Sequence, residues 1–456
     1  MTTPISARRP PEDPRLASVE QALLARWPES RLEPSLTRIS ALVDLLGSPH
    51  KAFPVVHVAG TNGKTTTARM VDELLRGFGL RVGRFTSPHL ESVRERIVLD
   101  GEPVDPQRFV DTYEDIAPYV AMVDAAGEVP MSFFEVMVGL AYALFADAPV
   151  DVAVVEVGMG GTWDATNVVD GRVAVVTPVS MDHAEYLGPD VGTIAGEKAG
   201  IIKPESIAVL ARQQPAALDT LMRKVAEVEA VVAREGTEFG VLDRRVAVGG
   251  QQLRLQGLGG EYEDVFLPLF GAHQAQNAVT ALAAVEAFLG AGAATGPVDV
   301  EVVRAAFAAV RSPGRLERVR TSPTVLVDAS HNPAGVAATV AAIRESFDFT
   351  RLVGVVGIVQ GKDAAAMLAE LEAICAELVV TQNSSARAMP ADELAALAVD
   401  VFGADRVSVS ARLADAIDEA IELAEAGPDD ALGGSGVLVT GSVITAGEAR
   451  TLLVRP

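Results

Sequence analysis

The 456 residues include a single cysteine, Cys375. No disulfide can form within the chain, which fits a reducing cytoplasm. Its surroundings, LEAICAELVV, are apolar, so a buried inert thiol is expected rather than a nucleophile. Basic residues are scarce: 38 Lys and Arg against 61 Asp and Glu leave a formal charge of −23. That balance argues against non-specific nucleic-acid binding and against anionic membranes, so neither is expected as a partner. A local basic pocket can still hold an anionic small molecule. Long apolar runs are missing too. The stretch VMVGLAYALFA, between Glu135 and Asp147, is too short for a bilayer and reads as a buried helix. The N-terminus MTTPISARRPPEDPR has no apolar core behind Arg8 and Arg9, so it reads as a flexible tail and not as a secretory signal. No internal repeat is found.

What is present is a globular composition, 49% hydrophobic, in a chain long enough for two domains. VVHVAG, RVGRFTS, DVAVVEVG, RVAVVTPVS and IAVLAR read as strands. DVAVVEVG and RVAVVTPVS are rich in valine and lack polar alternation, as in parallel strands covered on both faces. TTTARMVDELLRGFG, PAALDTLMRKVAEVEAVV and HQAQNAVTALAAVEAFLG read as helices. Residues 238–270 alternate and carry Gly249-Gly250 and Gly259-Gly260, which predicts antiparallel hairpins. After Arg311-Ser312-Pro313-Gly314, five more strands are expected in TVLVDAS, RLVGVVGIV, ELVVTQ, RVSVS and GVLVTGS. The fold class is therefore α/β: a P-loop-containing N-terminal domain with a mainly parallel sheet, then a smaller Rossmann-like α/β domain. Residues 1–35 are expected as tail and first helix, 36–312 as the first domain and 313–456 as the second.

Gly60-Thr61-Asn62-Gly63-Lys64-Thr65, between a strand and a helix, has the parts of a phosphate site. Backbone N–H groups at a helix N-terminus and the helix dipole attract an anion. Lys64 can reach terminal phosphates and the Thr65 hydroxyl can ligate Mg²⁺. The common loop has a glycine two residues before Gly60; here Val58 stands there. The competing reading is a glycine-rich turn with a chance lysine.

This variant loop resembles that of the Mur ligase superfamily. Further blocks narrow the resemblance: Thr86-Ser87-Pro88-His89-Leu90 with Glu95-Arg96-Ile97; Glu156-Val157-Gly158-Met159-Gly160-Gly161 with Asp164-Ala165-Thr166-Asn167; Asp182-His183 with Gly196-Glu197-Lys198-Ala199-Gly200; Pro313-Gly314-Arg315-Leu316-Glu317; and Asp328-Ala329-Ser330-His331-Asn332-Pro333. Together they resemble the folylpolyglutamate and dihydrofolate synthases. The resemblance implies ATP-dependent joining of L-glutamate to folate or dihydropteroate through an acyl phosphate. It implies ATP, two Mg²⁺ ions, an optional monovalent cation, a monomer and a cytoplasmic location.

It also implies roles. Gly60, Thr61, Asn62, Gly63, Lys64, Thr65 and Thr66 would hold the phosphates, with Asn277 at the adenine and Arg315, Asp328 and His331 at the phosphates and ribose. Thr65, Ser87, Glu156 and His183 would ligate Mg²⁺. Lys198 would be carbamylated (N6-carboxylysine), and Lys64, Lys198 and His183 would serve catalysis. Thr37, Arg38, Ser132, Phe133, Phe134, Glu135, Trp163, Asp164 and Ala165 would contact the pteroate or folate. Bland readings compete for several: a capping or salt-bridge role for Glu156, a surface lysine at 198, a polar helix start at Asn277, and helix core at Phe133 and Phe134. Thr162 stands where the family often has arginine, which bears on the choice between pteroate and folate. A Mur-type ligase with another acceptor is the nearest rival, and a non-catalytic nucleotide-binding regulator is the rival of another class.

Overall fold

The computed structural model describes residues 14–27, 33–426 and 434–454. Most of the expected N-terminal tail, residues 1–13, lies outside them, whereas Pro14–Leu24 is helical. Eight strands form the first sheet: β1 Val55–Ala59, β2 Val82–Phe85, β3 Ile97–Leu99, β4 Glu102–Pro103, β5 Val152–Glu156, β6 Val173–Val176, β7 Ile207–Leu210 and β8 Val231–Arg234. Their order is β4-β3-β2-β5-β1-β6-β7-β8, parallel from β2 to β8 with an antiparallel edge at β3 and β4.

Every residue of β1, β5 and β6 is buried, which explains their valine content. Alternate side chains feed two cores. Val56 and Val58 pack with the helices Lys64–Gly77 and Ala272–Leu289, while Val55 joins the helix Phe133–Asp147 on the opposite face. The order reverses about β1: the chain leaves toward β2 on one side and later fills β6 on the other. The carboxyl ends of β1, β5 and β6 therefore open into one crevice, where ligands of such sheets bind.

A buried ion pair ties this sheet to the first helix. Arg84 of β2 meets Asp72 of the helix Lys64–Gly77, and Arg76 Nε donates to the same carboxylate at 3.1 Å. Removing one partner strands the other charge in the core. Asp72→Ala is expected to cost about 3–5 kcal/mol, read from the midpoint of urea unfolding.

β9 Gly240–Ala247, β10 Gly250–Gln256 and β11 Glu261–Leu267 form an antiparallel sheet, as the alternation predicted. Its apolar face covers the helix Ala272–Leu289. The second domain has six strands: β12 Glu317–Thr321, β13 Thr324–Val327, β14 Arg351–Val356, β15 Glu377–Gln382, β16 Val407–Arg412 and β17 Ser435–Thr440. Their order is β12-β13-β17-β14-β15-β16, parallel except for β12 against β13. Five are the expected strands. The sixth, β12, is an edge strand of sequence ERVRT, mostly exposed and without an apolar signature.

Two element assignments need correction. The helix expected through Val232 ends at Glu227, and Val231-Val232 belong to β8. The helix Pro106–Ala126 was not anticipated; its Asp105 caps the first turn and Pro118 lies inside it. Cys375 is buried and burial pushes its thiol up to about 12, an inert group as expected. Among the described residues no helix is long and apolar enough to cross a membrane.

Candidate active site at the domain junction

The loop after β1 turns on two glycines with positive φ, Gly60 at 143° and Gly63 at 86°. Neither tolerates a side chain. A Cβ on Gly60 would lie 1.9 Å from Thr177 Oγ1, and one on Gly63 would lie 2.4 Å from Asn277 Oδ1. The loop is tied down from β6. Thr61 and Asn62 amides donate to Pro178 O at 3.1 and 3.3 Å, and Thr61 Oγ1 donates to Ser180 O at 3.1 Å. The helix that follows has no side-chain N-cap and no acidic residue in its first turn, so its leading N–H groups are left for an anion. Lys64 Nζ folds back onto Thr61 O at 3.2 Å.

Glu156 ends β5 beside this loop. It is 1% exposed, and among the described residues it has no ion pair. It accepts the Thr65 hydroxyl at 2.9 Å and the Ser87 amide at 3.3 Å. Burial pushes its carboxyl up, against Lys64, Thr65, Ser87 and Arg315, which pull it down. A buried carboxylate so placed calls for a cation. The oxygens of Glu156, Thr65 and Ser87 suit Mg²⁺, which keeps water and phosphate oxygens for its remaining positions.

Lys198 occupies the last turn of the helix Val191–Ala199 and is 3% exposed. The surface-lysine reading is therefore wrong. Burial, with Lys64 nearby, lowers its amine to about 7. The helix is clamped by the β5 loop: Thr162 N and Oγ1 donate to Glu197 O, and Asn167 Nδ2 donates to Thr162 O and Gly200 O. Thr162, in the place of the frequent arginine, thus spends its hydroxyl on the segment that carries Lys198.

His183 follows β6 with φ of 51°, an uncommon conformation for a side-chain-bearing residue and a frequent mark of functional sites. Burial lowers its imidazole to about 4, so the ring is neutral and able to ligate. Asp182 accepts Lys362 Nζ at 2.6 Å from the second domain. Burial raises its carboxyl, but the His331 hydrogen bond and the charge of Lys362 outweigh that and hold it low.

A cleft of about 460 Å³ lies between the domains. From the first domain it is lined by Arg38, Ser87, Ser132, Phe134, Glu135, Trp163, Asp164, Ala165 and His183; from the second by His331, Lys362, Arg387 and Ser442. Phe134 leans on Phe85 with ring centroids 5.8 Å apart and lines the cleft together with Trp163. The domains touch closely. A Cβ on Gly447 would come within 2.1 Å of Leu90 O, Gly314 also faces Leu90, and Arg450 pairs with both Glu91 and Glu317.

Comparison with known proteins now decides the family. The Mur ligase middle domain matches residues 132–285, and the Mur ligase glutamate ligase domain matches residues 314–443. A dihydrofolate synthase/folylpolyglutamate synthase of Mycobacterium tuberculosis is 54% identical over 98% of this chain and 95% of its own. The chain belongs to the folylpolyglutamate synthase/dihydrofolate synthase family. It is a ligase of the Mur superfamily. A Mycobacterium tuberculosis folylpolyglutamate synthase solved with ADP superposes with a TM-score of 0.92 at 53% identity, covering 97% of this chain and 99% of that one. An Escherichia coli member solved with DHPP and ADP gives 0.82 at 30% identity, covering 97% and 99%.

Within this family frame, some expected site residues are not where a substrate contact requires. Thr37 is exposed at the start of its helix and does not line the cleft. Phe133 is 6% exposed, packed in the core under the Arg96 guanidinium at 4.9 Å, so helix core is the correct reading there. Glu135 and Ser132 form a capping box, and Arg38 Nε reaches Glu135 at 3.0 Å. Asp164 takes Met159 N, Thr166 N and Thr166 Oγ1, which fixes the loop after β5. Asp328 is engaged by Leu316 N, Ser330 N and Thr339 Oγ1. Asn277 sits one turn inside its helix, held by Gln274 and against Gly63. Asp182, His89 and Arg96 stood in the quoted blocks without a role, and Arg96 Nε donates to His89 Nδ1 at 2.9 Å; sequence reasoning missed Lys362, Arg387 and Ser442 altogether. Lys362 follows the carboxyl end of β14, a position that could have drawn attention.

Proposed function

We propose that this ligase joins L-glutamate to tetrahydrofolate, and also to 7,8-dihydropteroate, at the expense of ATP. The observation that carries the reading is the cleft at the junction, whose aromatic and cationic walls come from both domains and whose Ser87 is linked to Thr65 of the phosphate loop through Glu156. A substrate carboxylate oxygen attacks the γ-phosphorus and ADP leaves; the glutamate amine then attacks the acyl carbon, phosphate leaves and a proton is released. Two anions must meet, so positive groups must gather before either bond forms.

In this proposal Gly60 to Thr66 cradle the phosphates, with Lys64 on the terminal ones, Asn277 at the adenine, and Arg315, Asp328 and His331 completing the nucleotide site. Thr65, Ser87 and Glu156 hold one Mg²⁺, and His183 with carbamylated Lys198 serves a second. The metal supplies charge neutralisation at the transferring phosphoryl group. Phe134, Trp163, Asp164 and Ala165 line the pterin side, with Arg38 held by Glu135. A monovalent cation, a monomeric state, a cytoplasmic location and a domain junction near residue 312 belong to the same proposal.

The test is ADP release coupled to NADH oxidation, run with dihydropteroate and tetrahydrofolate in parallel. Release that requires L-glutamate and either pteridine supports the reading. Release with a UDP-muramyl acceptor instead, or none with any amino acid, sinks it.

A further inference from the structure

Asn332 has no role in the scheme above, yet it joins the phosphate loop to the second domain. It N-caps the helix Pro333–Ser346: its Oδ1 accepts the Gly335 amide at 2.8 Å. With the oxygen committed to the helix, the amide nitrogen points out of it. Nδ2 donates to Asn62 Oδ1 at 3.1 Å and to Asp182 Oδ2 at 3.1 Å. Asn62 belongs to the phosphate loop, and its own Nδ2 donates to Ser180 Oγ at 3.3 Å. Asp182 adjoins His183 and also binds Lys362. The side chain of Asn332 uses its acceptor and both donors, and the residue is 3% exposed, so water is a poor substitute.

We infer that Asn332 is a positioning residue that couples docking of the second domain to the shape of the phosphate loop. When the domains part, Asn62 loses its partner across the junction and the loop loses one of its restraints. When they meet, Asn62 and Asp182 are fixed together, so the phosphate loop and the His183 turn are set by one contact from the second domain. Only a carboxamide meets these demands. Aspartate caps a helix as well as asparagine but brings no donor, and it would set a carboxylate against Asp182. Serine caps too, but is too short to reach Asn62. The inference rests on the ligase reading.

The experiment compares the full-length chain with Asn332→Asp and Asn332→Ser. Both variants keep a cap, so both are expected to fold and to melt cooperatively, below the parent by the cost of the two lost junction hydrogen bonds. Turnover should fall by about tenfold or more, as expected for two lost hydrogen bonds, while KM for ATP moves less than about threefold. Amides of residues 60–65 should exchange with deuterium faster in both variants than in the parent. Turnover within about twofold of the parent, or unchanged exchange in that loop, would overturn the proposal. A parent chain that releases no ADP with glutamate counts against the ligase reading alone, because the exchange measurement still tests the bridge.

Discussion

Lys198→Ala is expected to lower ligation by at least about a hundredfold while the fold survives. The lysine is buried in the last turn of its helix, with no hydrogen bond or ion pair among the described residues. An isolated buried ammonium is unfavourable, and burial with the charge of Lys64 brings the amine to about 7. Near neutral pH much of it is the free amine, the form that adds to CO₂. Addition of that neutral amine to CO₂ would form an N–C bond, release one proton and leave an anion near Lys64 in place of the ammonium of the unmodified residue. Alanine removes both forms. It also removes a buried charge, so the melting temperature should hold or rise. The sign for the unmodified lysine follows from linkage. The unfolded amine, at 10.5, keeps its proton longer than the folded one, so stability rises with pH between about 7 and 10.5. Turnover should drop in CO₂-depleted buffer and return with bicarbonate in the parent only. Near-normal turnover of the alanine variant would refute the assignment.

Glu156→Gln should show activity and stability moving in opposite directions. The amide keeps the shape, the burial and, through its oxygen, the Thr65 hydrogen bond, but its NH2 cannot accept the long 3.3 Å bond from the Ser87 amide, and the charge that would face a cation is lost. Turnover is expected to fall by at least about a hundredfold. Without nucleotide, the variant should melt higher than the parent. The folded carboxyl is pushed up by burial, so its ionisation opposes folding. That contribution is favourable below the unfolded value of 4.5 and is lost as pH rises through the folded one. The gain should therefore be seen at neutral pH and shrink below pH 4.5. A variant that melts lower, or turns over normally, contradicts the role given to Glu156.

The elements that could be read from the sequence are those whose local pattern matches their burial. β1, β5 and β6 are covered on both faces and spell that out in valine. β12 could not be read, because an exposed edge strand of Glu, Arg and Thr has no burial pattern to display. The helix Pro106–Ala126 was hidden by Pro118, and the end of the helix Pro215–Glu227 by the valines of β8. The site divides the same way. Lys64, Glu156 and His183 follow strands and sit in recognisable blocks. Phe133 and Phe134 are adjacent in sequence, but a helix sends neighbours to different sides, so only Phe134 reaches the cleft. Asp182, Asn332 and Lys362 meet across 150 and 180 residues, a relation that no local pattern encodes.

The contact of Gly447 with the Leu90 carbonyl bears on building hybrids of this enzyme. With the domain junction near residue 312, as proposed, the chain passes from the first domain to the six-stranded sheet of the second once, so a second domain from a relative could be grafted with a single covalent seam. The seam is the easy part. A graft that brings any side chain at position 447 would prop the halves apart at Leu90, because its Cβ would overlap the carbonyl. A workable hybrid must therefore keep glycine there and an arginine for Glu91 on the next turn, whatever the identity elsewhere in the transplanted half.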